Sequence, residues 1–565
     1  MVDSTAKPNN EITTSGDAAA STSALSGAVV SEEAAGKTAT PATKPKRKVR
    51  RIVRKKDKKK GGKDDDADVV DPVLLEKVMM ESCLPKAYSF EIVKTLKRIN
   101  QILQTKHTES QRDSKRNDPQ SRNSSVHISL QMPEGLLLYA TVLSDVLQRL
   151  VAATNKTITN NSDQPLLRVS VLGDVTYGAC CVDDLGARAL GCDLLVHYGH
   201  SCLVPIQHTV VPCLYVFVEI TIDVPHLVEC FHKTILLENK KLGTTIKPHV
   251  YLLGTIQFRH ALMEARRLLR SEPYEYDLSI PQAKPLSPGE VLGCTSPVLA
   301  STPPAPKSSR KGKSTTEEGA SSCCSSNSNN NNNNTTIGTD GMDVCSSSSS
   351  NQRAVVLFVA DGRFHLESTM ISNPHISKFY RYDPYPKTLT EESYDHIKMK
   401  SIRYEAIEKA RLKIQTKKQQ QSGSPAVFGI ILGTLGRQGN PALLTKLRNQ
   451  LTSHKLRSFV ILASEITPSK LALFRNKVDA WVQIACPRLS VDWGHALSGN
   501  SSVPVLNPYE LFVTLDTTNK LWRGGDDKSY PMDYYSQEGG PWSNYGDADN
   551  KGREFTTATV VAAAV

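Results

Sequence analysis

The segment HISLQMPEGLLLYATVLSDVLQRL (residues 127–150) reads as an apolar strand, a turn and an amphipathic helix. The same plan recurs in HVYLLGTIQFRHALMEARRLL (249–269) and in VFGIILGTLGRQGNPALLTKLRNQL (427–451). Further strand-like runs follow the three copies, at 194–202, 355–365 and 458–470. Apolar runs that alternate with helices are typical of parallel sheets covered by helices on both faces. The sequence therefore predicts an α/β protein built from three homologous units.

Three cysteines, Cys180, Cys294 and Cys486, each follow a short apolar run and lie in a turn-rich segment. In open parallel sheets, ligands gather at the carboxyl ends of the strands, so a site shared by the three would lie where the units meet. Their spacings of 114 and 192 residues do not fit a local metal motif. A closed structural zinc site has four protein ligands, whereas an iron–sulfur cluster held by three leaves one iron open to a substrate. The count favours an iron–sulfur cluster.

The charge of the chain is concentrated in one segment. Of the formal net charge of +12, the segment from Lys44 to Lys63 accounts for all, since it carries thirteen Lys/Arg and one Asp. The remainder is neutral, which disfavours a nucleic-acid-binding body. The basic run 44–60 could be a nuclear localisation signal, a contact for RNA or the ribosome, or a non-specific solvated arm.

The cysteine content and the hydropathy of the chain indicate the cellular compartment in which the protein works. Twelve cysteines without an apolar leader indicate a reducing compartment, and no apolar run approaches the ~18 residues of a membrane span. We expect a cytoplasmic protein that does not enter membranes, with some nuclear access through the basic run.

The composition also predicts the domain organisation. Segments of low complexity cannot bury enough apolar surface to become ordered. The predicted order is a disordered basic tail (1–70), a first α/β domain with Cys180 (71–235), a second with Cys294 (236–400) that contains a disordered insertion (295–352), a third with Cys486 (401–546) and a disordered end (547–565).

Several segments resemble the diphthamide synthesis radical enzymes in their eukaryotic form, over about residues 75–535. They are YGACCVDDLGARALGCDLLVHYGHSCLVP (177–205), PLSPGEVLGCTSP (285–297), DGRFHLES (361–368), GTLGRQGN (433–440) and ACPRLSVDWG (485–494). The resemblance implies three α/β domains around a central 4Fe–4S cluster, with one cysteine ligand from each. By that resemblance the ligands are Cys180 in YGAC, Cys294 in LGCTSP and Cys486 in ACPRLS.

The resemblance also implies an activity. The open iron would take up S-adenosylmethionine, and an electron would break the bond from sulfur to the methionine γ-carbon. The 3-amino-3-carboxypropyl group would then pass to an imidazole carbon of a histidine in translation elongation factor 2, the first step of diphthamide biosynthesis. The chain lacks the CxxxCxxC motif of conventional radical enzymes that use this cofactor, which fits the unusual cleavage.

Implied partners are a paralogous second synthase subunit in a heterodimer, elongation factor 2 as substrate, and an iron-containing electron-donor protein. Two alternatives remain open. One is a non-catalytic scaffold subunit of the same complex, and the other is a zinc protein that binds nucleic acid.

Other residues are candidates for the site. In the loop GTLGRQG, the residues Gly433, Thr434, Gly436, Arg437 and Gly439 would contact the cofactor, with Arg437 on its carboxylate, unless the loop is only a tight turn. The residues proposed to support the site from nearby are Arg363, His365, Arg488 and Asp492.

Two ambiguities accompany the cysteines. Cys181 offers a second thiolate beside Cys180, or is a core-facing neighbour. Cys192, His197, His200 and Cys202 suggest a zinc site nearby, although they lack any CxxC spacing.

Overall fold

Three mainly parallel sheets, each covered by helices, and a short antiparallel pair of two-residue strands make up the sheets in the part of the chain that the computed structural model describes. The described residues are 70–113, 125–155, 166–174, 176–300, 353–420, 424–474, 476–498, 503–525, 527–533 and 540–543. All of them belong to one unit, Asp64–Val565.

The described strands are β1 Tyr88–Ser89, β2 Val126–Gln131, β3 Leu167–Val171, β4 Leu194–Tyr198, β5 Cys213–Val216, β6 Glu219–Ile220, β7 His249–Gly254, β8 Leu278–Ser279, β9 Ala354–Val359, β10 Phe379–Asp383, β11 Thr388–Glu392, β12 Val427–Gly433, β13 Arg457–Ala463, β14 Ala480–Ile484 and β15 Val505–Leu506.

The described helices are α1 Pro72–Glu81, α2 Ile92–Asp113, α3 Glu134–Leu137, α4 Ala140–Thr154, α5 Asp184–Ala189, α6 Val224–Leu242, α7 Arg259–Arg270, α8 Phe364–Ser372, α9 His396–Gln419, α10 Pro441–Ser453, α11 Pro468–Ala472, α12 Arg488–Ser498 and α13 Pro508–Leu515. None of them is both long and apolar enough to cross a membrane.

The three sheets share one strand order. The first is β3-β2-β4-β5, the second is β8-β7-β9-β10 with β11 antiparallel at its edge, and the third is β13-β12-β14-β15. Numbered within its own unit, each therefore reads 2-1-3-4 with parallel neighbours. This is the doubly wound order, which collects ligands at the carboxyl ends of its strands. The predicted α/β class with three related units is confirmed.

Burial explains why these segments form strands and helices. All six residues of β7 and all six of β9 are buried, as expected for central strands with helices on both faces. Helix α4 buries Leu143, Leu147 and Leu150 at helical spacing in the core of the first sheet. The repeated sequence pattern therefore reflects a repeated pattern of burial in the strands and helices.

The limit predicted between the second and third domains, 400/401, falls inside α9. Met399 and Ile407, on either side of that limit, both lie in the core of the third sheet with Phe428. The helix therefore packs with the third sheet on both sides of the limit. The aromatic C-terminal segment also packs there, through Tyr530 and Trp542.

The insertion begins later than predicted. Residues 295–300, which the sequence assigned to it, are packed: Leu299 is buried, and its N–H donates to Asn373 Oδ1 at 2.7 Å. The Tyr251 hydroxyl donates to the Ala300 carbonyl at 2.9 Å. Assigning 295–300 to a disordered segment was wrong, because apolar residues there complete the second core. The rest of the insertion (301–352), the tail up to residue 69 and the end 547–565 lie outside the described residues.

Candidate metal centre

The three cysteines follow strands at the carboxyl ends of three different sheets. Cys180 lies between β3 and α5, and Cys294 follows β8, so each comes after the second strand of its own unit. Cys486 comes directly after β14, the third strand of its unit. Each side chain is partly buried.

The thiols of the three units are close enough to act on one another. The pKa of Cys180 is well above its ordinary value because of its hydrogen bond with Cys181, burial, and the charges of Cys181, Cys486 and Cys294. Burial, followed by the charge of Cys486, raises the pKa of Cys294. Burial raises the pKa of Cys486 to about 11. Three thiolates at one place would repel one another, so the thiols stay protonated unless a positively charged group binds them, and this donor set fits an iron–sulfur cluster.

Cys181 also belongs to the site. Its pKa is lowered to about 7, first because it accepts a hydrogen bond from the Cys180 thiol. The Gln438 amide donates to its Sγ at 3.2 Å, and its charge acts on Cys486. Cys181 is buried and Cys180 is more exposed, and both alternatives for the doublet remain open.

A site for a single ion is not formed. Within the described ranges, no group of three or more His, Cys, Asp or Glu residues is arranged to hold one metal ion. A cubane cluster carries its thiolates on separate irons, so its ligands lie farther apart than those of one ion. The suggested zinc site of Cys192, His197, His200 and Cys202 is therefore wrong. His197 Nδ1 instead lies 2.9 Å from the Gln131 amide oxygen.

The side-chain amides of two glutamines donate hydrogen bonds to backbone carbonyls in the cysteine turns. Gln131, the last residue of β2, donates from Nε2 to the Cys181 carbonyl at 2.7 Å. Gln483 in β14 donates from Nε2 to the Cys486 carbonyl at 3.0 Å. Sequence reasoning missed both. The only sign of them was an amide side chain near the carboxyl end of a largely buried strand.

Arg488 joins the Cys486 turn to the Cys294 turn. Its Nε donates to Asp492 Oδ2 at 2.7 Å, and Nη1 donates to the carbonyls of Phe364 at 2.9 Å and Gly293 at 3.3 Å. Nη2 pairs with Glu367, and the guanidinium lies 4.3 Å from the centre of the Phe364 ring. The structure thus brings Arg488 and Asp492 together beside two of the cysteines.

The two candidates from DGRFH differ. Arg363 is half exposed and pairs with Glu367 and Glu392, at 2.8 and 3.0 Å. Burial, with smaller contributions from the charges of His200 and Arg488, lowers the pKa of His365 to about 4. His365 thus lies within electrostatic reach of Arg488, whereas Arg363 pairs with Glu392 of the edge strand β11.

Arg437 in the loop 433–439 is paired with a carboxylate of the protein. Its Nε and Nη2 donate to the two oxygens of Asp184 at 2.8 and 2.6 Å. The backbone N–H of Thr434 donates to the Ala463 carbonyl at 3.0 Å. A methyl group on Gly433 or Gly439 would meet neighbouring atoms at 2.7 and 2.2 Å. Close packing accounts for these glycines, and contact of the loop with a cofactor stays a prediction.

An acidic residue that sequence reasoning missed lies beside Cys294. Thr295 Oγ1 donates to Asp533 Oδ1 at 3.1 Å and lies 3.7 Å from Cys294 Sγ. The charge of Asp533 contributes to the raised pKa of Cys294. The segment 527–533 thus brings a negative charge to one cysteine of the site.

Comparison with known proteins gives consistent matches. The model of the diphthamide synthesis protein family matches residues 132–526. The 2-(3-amino-3-carboxypropyl)histidine synthase subunit 1 of Dictyostelium discoideum is 40% identical over 462 residues, which cover 82% of this chain and 74% of that protein. The protein of that name in Homo sapiens is 39% identical over 487 residues, covering 85% and 84%. Among solved structures, Dph2 from Pyrococcus horikoshii with a 4Fe-4S cluster is 22% identical, with a TM-score of 0.46, and covers 75% of this chain and 93% of that one.

Proposed function

The chain belongs to the diphthamide synthesis protein family, and from that premise we propose that it is the cluster-bearing subunit of a 2-(3-amino-3-carboxypropyl)histidine synthase. The donor would be S-adenosylmethionine, and the acceptor an imidazole carbon of one histidine in translation elongation factor 2. The names of its relatives make the reaction a group transfer, so the chain is a transferase.

One observation supports this proposal more than any other. Thiols from three sheets that are far apart in sequence act electrostatically on one another at the carboxyl ends of their strands. A scaffold would not require three thiols from three sheets to meet, because thiols with a raised pKa stay protonated and gain nothing from one another. Three thiols brought together in this way can act as thiolate ligands of one iron–sulfur cluster.

Cys180, Cys294 and Cys486 would hold a 4Fe–4S cluster through three irons. When bound and reduced, such a cluster supplies the electron that cleaves the sulfur to γ-carbon bond of S-adenosylmethionine. The protein would contribute position and environment. Gln131 and Gln483 fix the cysteine turns by their carbonyls, and Arg488 ties two of the turns together.

The imidazoles beside the site stay neutral. Burial lowers the pKa of His200 and of His365 to about 4. Neither would carry a positive charge at neutral pH, so neither would repel a sulfonium cosubstrate. Both can exchange hydrogen bonds with a substrate's polar groups.

The word "subunit" in the relatives' names supports assembly into a complex. We propose a paralogous second subunit as the partner in a heterodimer and an iron-containing protein as electron donor. The cytoplasm is the proposed location, with nuclear access through the basic run.

The test is an anaerobic assay of the chain with its second subunit, dithionite, S-adenosylmethionine and elongation factor 2. The expected products are methylthioadenosine and an elongation factor that gains one aminocarboxypropyl group, detected by mass spectrometry. Both should disappear in Cys294→Ala and persist in Cys83→Ala, since Cys83 is exposed.

Two other outcomes would contradict the proposal. 5′-Deoxyadenosine as the product would mean that a different bond of the cosubstrate reacts. An elongation factor modified at the same rate with Cys294→Ala would favour the scaffold role, in which another chain carries the cluster.

A further inference from the structure

We propose that Arg437 and Asp184 are positioning residues for Cys180. They form an ion pair between the third and first units that holds the Cys180–Cys181 turn at a fixed place relative to Cys486. This inference rests on the proposed iron–sulfur function. It assigns Arg437 to a protein carboxylate and not to the carboxylate of the cosubstrate.

The pair has the geometry of a strong interaction. Arg437 donates to both carboxylate oxygens of Asp184, which is fully buried, at 2.8 and 2.6 Å. The backbone N–H of Val210 also donates to Asp184 Oδ2, at 2.6 Å. A two-bond Arg–carboxylate contact fixes both distance and orientation. Asp184 is in turn the first residue of α5, which begins four residues after Cys180.

The backbone around Arg437 is in direct contact with the Cys180–Cys181 turn. The Arg437 N–H donates to the Cys180 carbonyl at 2.9 Å. Gly436 has φ +57, and a Cβ there would lie 2.3 Å from the carbonyl carbon of Cys181. Only glycine both adopts this φ without strain and leaves room for the close approach. Gln438 adds its hydrogen bond to Cys181 Sγ.

These contacts converge on two consecutive residues of another unit. Cys486 is held within its own unit by Gln483, and Arg488 links its turn to the backbone beside Cys294. The loop of Gly436, Arg437 and Gln438 is what connects the third unit to the Cys180 turn in the same way. A cluster with three ligands requires all three turns in register, so loosening this loop should release the Cys180 ligand first.

The experiment uses the full chain with its second subunit, purified without air. The variants are Arg437→Ala, Arg437→Lys, Asp184→Asn and the milder Gln438→Ala. The matched control is Arg381→Lys, since Arg381 is similarly buried and pairs with Asp383 and Glu392 in the second sheet. The readouts are iron and sulfide content, the electron paramagnetic resonance spectrum of the reduced protein, the rate at which a chelator removes iron, and thermal stability.

We expect Arg437→Ala and Asp184→Asn to lose iron to the chelator about 10-fold faster or more, the scale found for residues that orient metal ligands. Their spectra should change, and combining the two should add little, because each breaks the same pair. Arg437→Lys should be intermediate, since it keeps the charge and the backbone N–H but not the two-bond geometry. Arg381→Lys should match the unaltered protein.

The proposal is overturned if the Arg437 and Asp184 variants keep the spectrum and chelation rate of the unaltered protein. It is also overturned if they lose thermal stability while the iron they retain is spectroscopically unchanged, which would indicate a purely structural pair. If Arg437→Ala does not fold, Arg437→Lys and Asp184→Asn decide by the same readouts. Unaltered protein that takes up no iron would instead refute the proposed function.

Discussion

Asp533 places a carboxylate next to a proposed cluster ligand. It reaches Cys294 through the Thr295 hydroxyl, and its charge acts on that thiol. A nearby negative charge opposes the addition of an electron, so it should keep the cluster potential low.

Replacing this carboxylate by an amide should therefore make the cluster easier to reduce. We expect Asp533→Asn to shift the reduction potential to a more positive value with iron content unchanged, measured by an anaerobic redox titration followed by paramagnetic resonance. Asp527→Asn, at an exposed position of the same segment, is the control. A potential that is unchanged or more negative would contradict the role given to Asp533.

Buried histidines should make stability depend on pH. Burial holds the pKa of His197 well below its ordinary value, so the unfolded chain binds a proton more readily than the folded one near pH 6. The contribution of this residue is complete above its unfolded pKa of about 6.5 and is lost as the pH falls through that value.

We expect the free energy of unfolding to decrease between pH 7.5 and 5.5, with His197 contributing at most about 1.4 kcal/mol per pH unit. In His197→Gln that decrease should be smaller, as measured by urea denaturation at both pH values. A variant with the full pH dependence would show that other groups are responsible.

The cysteines and the two glutamines illustrate what a sequence reveals of a site. A thiol in a turn after an apolar run points to chemistry, so Cys180, Cys294 and Cys486 could be selected as candidates. Gln131 and Gln483 act on backbone carbonyls of neighbouring loops. Which carbonyl an amide meets depends on the packing of two segments, and no local pattern records it.

Among the elements, α9 and α13 are joined by a buried ion pair. Arg403 donates from Nε to Glu510 Oε1 at 2.6 Å and from Nη2 to Oε2 at 2.7 Å, with both side chains almost fully buried. Glu510 also completes the capping box of α13, because its carboxylate accepts the N–H of Asn507. The Glu510 carboxylate thus caps the start of α13 and also binds that helix to α9.

Glu510→Gln should destabilise the third unit by about 3–5 kcal/mol, the usual effect of leaving one partner of a buried pair charged and alone. Denaturant unfolding measures it. Glu408→Gln, which breaks the more exposed pair with Arg411, should cost about 1 kcal/mol or less. Equal losses in the two variants would contradict the importance given to burial.

Element types were more predictable than element limits. The three strand–helix units followed from hydrophobic periodicity, because burial on both faces of β7 and β9 requires continuous apolar runs. The packing of α9 could not be predicted in this way, since the sequence of the helix does not indicate which sheet it packs on. Residues 295–300 are similar. Leu299 belongs to a short apolar run at the start of a polar segment, and its burial and its hydrogen bond to Asn373 show that it is packed.

At the scale of the whole molecule, the segment 301–352 can be separated from the packed residues before it. Replacing it by a short Gly/Ser linker should leave iron content and activity nearly unchanged, because loop length has a small effect on folding free energy. Extending the replacement back to 295 should lower both, since it removes Thr295 and Leu299 from their buried partners. Iron lost in the shorter replacement would contradict this division.

The convergence of three distant cysteines is the property of the whole molecule that no local pattern could establish. The repeated 2-1-3-4 order places one cysteine at the carboxyl ends of the strands of each sheet. The charges that the thiols exert on one another indicate that these ends lie close together. The sequence predicted the strands and singled out the three cysteines. The family resemblance implied that the three cysteines bind one cluster.

The most direct test of a shared cluster is the iron and sulfide content of single Cys→Ala variants, reconstituted without air. We predict about four irons and four sulfides per chain in the unaltered protein and in Cys192→Ala, and a large loss in Cys180→Ala, Cys294→Ala and Cys486→Ala. Cys181→Ala decides which thiol of the doublet binds. Full iron in Cys294→Ala or Cys486→Ala, or an equal loss in Cys192→Ala, would contradict a cluster held by one cysteine from each unit.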